Sequence, residues 1–124
     1  MIELEISFPP SANSIWRSFG NRNILSKPYR VWRELAALEI ETQMKGQDRI
    51  SGPYHMCIDL DRRDRRRADL SNRIKALEDS LVLCRVVQDD SDCQSIMIKW
   101  GSLWSSPSYL GKTSKARVEL EAAQ

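Results

Sequence analysis

The chain has 124 residues, 41% of them hydrophobic, which suits one domain over residues 1–124 with one core and argues against a second folded domain. Its formal charge of +2 is too small to indicate a nucleic-acid ligand by itself. No run approaches the roughly 20 consecutive apolar residues of a membrane span, and the acidic start, MIELEISF, is unlike a secretory signal, so the chain reads as cytoplasmic with no membrane partner.

Residues 2–8 alternate Ile2, Leu4, Ile6 and Phe8 with Glu3, Glu5 and Ser7, a strand with one buried and one wet face, and Pro9 and Pro10 end it. Residues 11–25 mix Asn, Ser, Gly and Arg with Trp16 and Phe19 and read as a loop carrying exposed aromatic and basic groups. Ser26 is a helix cap with Lys27 and Pro28 in the first turn, and the helix runs to Gly46. Its apolar stripe reads as Val31, Leu35, Leu38 and Thr42, with Trp32 beside it in the core.

A second alternating run puts Tyr54, Met56, Ile58 and Leu60 on one face and His55, Cys57 and Asp59 on the other. His55, the only histidine, draws no functional role. The strand leads into Arg62, Arg63, Arg65, Arg66 and Arg67, and seven of the nineteen basic residues lie between Arg62 and Lys75. A second helix follows, capped or begun by Asp69, in which Leu70, Ile74, Leu77 and Leu81 form one stripe that ends near Cys84.

After an acidic knot holding Asp89, Asp90 and Asp92, residues 96–100 and 116–120 alternate as two more strands, joined by a Gly/Ser/Pro-rich loop over 101–114 and expected to be antiparallel neighbours. The fold class is therefore α+β, a single domain with a mixed four-stranded sheet and two packed helices. Cys57, Cys84 and Cys93 have neither disulfide nor zinc spacing and read as core thiols.

Dense positive charge beside separated carboxylates suits metal-assisted chemistry on a phosphodiester. Each part also has a plainer reading. Asp69 serves equally as a helix cap, residues 89–92 as a solvated turn, the arginines as a charged loop, and Lys75 as an ion-pair partner of Glu78 or Asp79.

The basic run leading into Asp69, Leu70 and Asn72, with Lys75 and then Asp89 and Asp90, resembles the RusA family of Holliday-junction resolvases, small endodeoxyribonucleases of bacteria and their prophages. The early FPPSANSIWR, Phe8 to Arg17, is similar to that family's N-terminal signature, so the resemblance extends from Ile2 to about Trp100. It implies a homodimer that resolves four-way DNA junctions by paired symmetric nicks with Mg²⁺ or Mn²⁺, and no small-molecule substrate. Asp69 and Asp90 would be catalytic metal ligands with Asp89 nearby, and Lys75 would meet the scissile phosphate.

Arg62, Arg63, Arg65, Arg66, Arg67, Asn72, Arg73, Trp16, Arg17 and Lys27 would contact branched DNA, the cations on phosphates and the aromatic on unpaired bases. One departure stands out: Ser71 occupies the position of the family's second aspartate. The alternative it raises is a branched-DNA-binding protein of the same fold that cuts weakly or not at all.

Geometry adds a condition. A helix over residues 70–84 is ~20 Å long, and residues 85–88 span only ~13 Å when extended. Asp90 therefore meets Asp69 within one chain only if the helix stops early; otherwise the acids meet across a dimer interface.

Overall fold

The computed structural model describes residues 1–61, 70–101 and 115–123. The five arginines of the run, Asp69 and most of the 101–114 loop lie outside the described residues. Strand β1 (Ile2–Ser7), the hairpin strands β2 (Trp16–Phe19) and β3 (Arg22–Leu25), helix α1 (Lys27–Gln43), β4 (Tyr54–Leu60), α2 (Ile74–Leu83), β5 (Cys93–Trp100) and β6 (Lys115–Ala122) follow in order. Short 3-10 turns occupy Ala12–Ser14, Leu70–Arg73 and Asp90–Asp92.

The main sheet has the order β1-β6-β4-β5. β6 runs antiparallel to both β1 and β4, whereas β5 runs parallel to β4. Thus the mixed four-stranded sheet with two helices is as expected, but β5 and β6 are not neighbours, because β4 lies between them. A parallel partner needs a crossover of a dozen or more residues, and the segment containing α2 provides it.

Alternation places Ile2, Leu4, Ile6, Tyr54, Met56, Ile58, Leu60, Ala116, Val118 and Leu120 on the buried face. The same alternation exposes Cys57 on the opposite face, so its reading as a core thiol is corrected, while Cys84 and Cys93 are half-buried and pack against the core.

Helix α1 begins as its sequence demands. Ser26 Oγ accepts from the Tyr29 amide at 3.3 Å and donates to the Ser14 carbonyl at 2.6 Å. Its buried face is Tyr29, Trp32, Ala36 and Ile40, so the expected stripe of Val31, Leu35 and Leu38 is overturned: those three are exposed. The reason is that α1 carries two apolar faces, and the aromatic one packs better over β1. There Trp32 Nε1 donates to the Ser7 carbonyl at 2.9 Å. The stripe of α2 is as read at Leu77 and Leu81, with Leu70 and Ile74 packed at its margin.

The segment expected to be a loop over 11–25 instead holds the β2–β3 hairpin. Gly20, at φ +63°, takes the turn position where a side chain would be strained, and register runs from Trp16 opposite Leu25 to Phe19 opposite Arg22. No helix among the described residues is long and apolar enough to cross a membrane.

Candidate nuclease site

The path from α2 to β5 decides where the acids lie. After Leu83 the helix closes with paired capping bonds: the Arg85 amide donates to the Val82 carbonyl at 3.0 Å and the Val86 amide to the Leu81 carbonyl at 2.9 Å. Arg85 adopts φ +60° to do so, a left-handed conformation usually given to glycine. Val86 and Val87 are then buried, and the Ile50 amide holds the Val86 carbonyl at 2.9 Å.

This capping turn sends the chain back along α2, and the Asp90–Asp92 turn packs against that helix. The charge of Asp90 is felt at both Lys75 and Glu78. Helix α2 itself ends at Leu83, as read from the sequence, so the turn at Arg85 and not a shorter helix brings Asp90 near Lys75; Asp69 lies outside the described residues.

Lys75 is exposed and its Nζ lies 3.1 Å from Asp79 Oδ1, the ion pair anticipated as its plainer role. The hydrogen bond to Asp79, then the Asp79 charge and more weakly that of Asp90, raises its pKa, so it is a fixed cation. Asp89 caps the short turn by accepting from the Ser91 amide at 2.9 Å. That bond, with a contact from Asp90, holds its carboxyl below the usual range.

Glu78, which the sequence suggested only as an ion-pair partner, is half-buried. Burial first and the Asp90 charge second raise its pKa. Beneath it the fully buried Tyr54 hydroxyl has Cys93, Glu78 and Asp90 as polar neighbours, and desolvation pushes its pKa well up. The missed signal was helical spacing: residues 71, 75 and 78 share one face.

Oxygen donors of this kind are what hard divalent cations take, and Mg²⁺ accepts one or two protein carboxylates with waters completing its shell. The donor chemistry of Asp90, Asp89 and Glu78 fits such an ion. Among the described residues, however, no three His, Cys, Asp or Glu side chains are grouped to hold one.

The remaining DNA-facing candidates separate into two groups. Trp16 and Phe19 stand exposed on the hairpin, and Trp16, Arg17, Ser18 and Asn23 line a groove of about 380 Å³. Lys27 is exposed at the start of α1. Arg73, by contrast, is turned inward: it donates to the Pro9 carbonyl at 3.0 Å and lies 5.1 Å over the Phe8 ring, which stacks on Trp100. It fixes the Phe8–Pro10 segment to α2. Asn72 is half-buried and Ser71 exposed in the 3-10 turn ahead of α2. His55 is exposed and bonded to Ser95 Oγ at 2.7 Å, away from these groups.

The family model described as Endodeoxyribonuclease RusA matches residues 7–121. The chain is also similar to the crossover junction endodeoxyribonuclease rusA of Enterobacteria phage HK97, with 29% identity over 93 residues, covering 75% of this chain and 77% of the phage protein.

Proposed function

Because the chain belongs to the RusA family of endodeoxyribonucleases, we propose that it is a divalent-metal-dependent nuclease that acts as a homodimer and resolves four-way DNA junctions by paired symmetric nicks. The observation that carries this reading is the return of the chain after α2, which sets Asp90 within charge reach of Lys75 and Glu78. Separated acids beside a fixed cation are the elements such chemistry requires.

Asp90 and Asp69 would hold Mg²⁺ or Mn²⁺, with Asp89 beside them, ionised and already oriented by the Ser91 amide. A divalent cation bound there supplies Lewis acidity toward the scissile phosphodiester. Lys75 exchanges Asp79 for a phosphate oxygen of the DNA, which costs little because its ion pair is exposed. Trp16 and Phe19 stack on bases unpaired at the junction centre, while Arg17, Lys27 and the arginines of residues 62–67 meet backbone phosphates. Two active sites related by a two-fold axis would match the symmetry of paired incisions.

Ser71 favours a second reading, a junction-binding protein that does not cut, because one fewer carboxylate weakens the hold on a cation. Cleavage separates the two. Purified protein is incubated with a labelled four-way junction or a matching linear duplex in Mg²⁺ or Mn²⁺, beside the Asp90→Asn variant. Paired nicks in the junction alone, lost in the variant, are expected. Tight junction binding with no incision in either metal would overturn the nuclease and leave the binding protein, with Ser71→Asp as the attempt at rescue.

A further inference from the structure

Helix α1 has an apolar face that its own chain does not use. Val31, Leu35 and Leu38 are 58, 45 and 65% exposed, and their spacing of four and three residues stacks them into one stripe about 10 Å long. Single exposed leucines are ordinary, but three large aliphatics on successive turns of one face mark an interaction surface. The opposite face of the same helix already buries Tyr29, Trp32, Ala36 and Ile40, so the stripe is surplus to this chain's core.

We propose that this stripe is the surface on which a second copy of the chain docks, α1 against α1 in antiparallel orientation. The inference rests on the homodimer of the proposed function and names the face that forms it. Charge selects the occupant. Along the exposed flank beside the stripe, Arg30 lies near the helix start and Glu41 near its end. A two-fold axis passing midway between residues 35 and 36 sets position 30 of one helix opposite position 41 of the other. Each copy therefore presents a cation to its partner's anion, twice by symmetry, with Leu35 at the axis. A parallel pair would put this flank of the two copies on opposite sides of the interface, so neither Arg30 nor Glu41 would meet its complement.

The oligomeric state of the full chain tests this, by sedimentation equilibrium on the wild type, Leu38→Glu, Arg30→Glu, Glu41→Arg and the double reversal Arg30→Glu/Glu41→Arg. All three positions are exposed, so circular dichroism should show every variant folded. The wild type is expected to dimerise and Leu38→Glu to raise the dimer dissociation constant by about 100-fold or more. Each single reversal should weaken the dimer several-fold, with the double reversal recovering most of the loss.

A monomeric wild type, a Leu38→Glu dimer as tight as the wild type, or a double reversal no better than either single one overturns the proposal. The nuclease reading is judged separately. Symmetric junction cutting by a chain whose Leu38→Glu variant still dimerises removes this surface but keeps the nuclease; a dimer broken by Leu38→Glu that cuts nothing keeps the surface and removes the nuclease.

Discussion

Arg117 Nη2 on β6 lies 2.6 Å from Asp61 Oδ1, a carboxylate only 4% exposed at the end of β4. The Lys115 amide also donates to Asp61 Oδ2 at 3.1 Å, and Asp61 returns a backbone bond to the Lys115 carbonyl at 2.9 Å. Asp61 is the last described residue before the arginine run, so this buried ion pair anchors the root of the basic segment. Arg117→Met would remove a cation from a buried carboxylate. A loss of about 2 kcal/mol is expected, below the value for a fully buried pair because Arg117 is itself partly in water. Urea unfolding measures it, and Asp61→Asn in the same chain should return part of the loss.

Arg85 shows a second local cost. Holding φ +60° strains any residue with a Cβ, yet the turn that returns Asp90 toward Lys75 depends on it. Arg85→Gly should therefore stabilise the fold by roughly 0.5–1 kcal/mol without altering activity, read as a higher urea midpoint at unchanged slope.

The hairpin carries the prediction for substrate shape. Trp16 is 59% exposed, so Trp16→Ala should leave the fold intact. Stacking on one unpaired base is worth roughly 1–3 kcal/mol. Affinity for a four-way junction should accordingly fall about tenfold while affinity for linear duplex changes little, as fluorescence anisotropy with the two labelled DNAs would reveal.

Glu78 makes a prediction about pH. Its carboxyl pKa is raised in the folded state by burial and by Asp90. When the pH is well below the unfolded value, both states hold the proton and the residue is neutral to stability. As pH rises through the raised folded value, the native state must ionise an acid beside another, and stability falls. Glu78→Gln should thus melt higher than the wild type at neutral pH and match it in the acidic range. Equal melting temperatures at every pH would contradict the placement of Glu78 beside Asp90.

Phosphate contacts leave a salt signature. Each phosphate neutralised contributes about 0.9 to the slope of log affinity against log salt on duplex DNA. Arg17→Ala and Lys27→Ala should each flatten that slope by about this amount in titrations on duplex arms of a junction.

Much of this molecule follows from local rules. The alternation of residues 2–8 and 54–60, the Ser26 cap and the Leu77–Leu81 stripe each reflect a periodicity written into neighbouring residues, and each stands where that period places it. The resemblance around Asp69, Lys75 and Asp90 is likewise local in sequence, which is why the family was visible before any fold. The hairpin was legible too, at Gly20–Asn21 between Phe19 and Arg22, but its polar composition read as loop.

What the sequence by itself determined is the four strands of the main sheet, the two helices and the family. The choice between the two apolar faces of α1 was beyond it, because Val31–Leu35–Leu38 and Trp32–Ala36–Ile40 are equally periodic and only packing over β1 separates them. So was the neighbour of β5, since pairing depends on where a crossover lands. The tertiary structure also decided that Asp90 returns to the level of Lys75: a left-handed turn at Arg85, which no periodicity announces, reverses the chain. Local pattern fixes which residues share a face; long-range packing decides what that face meets.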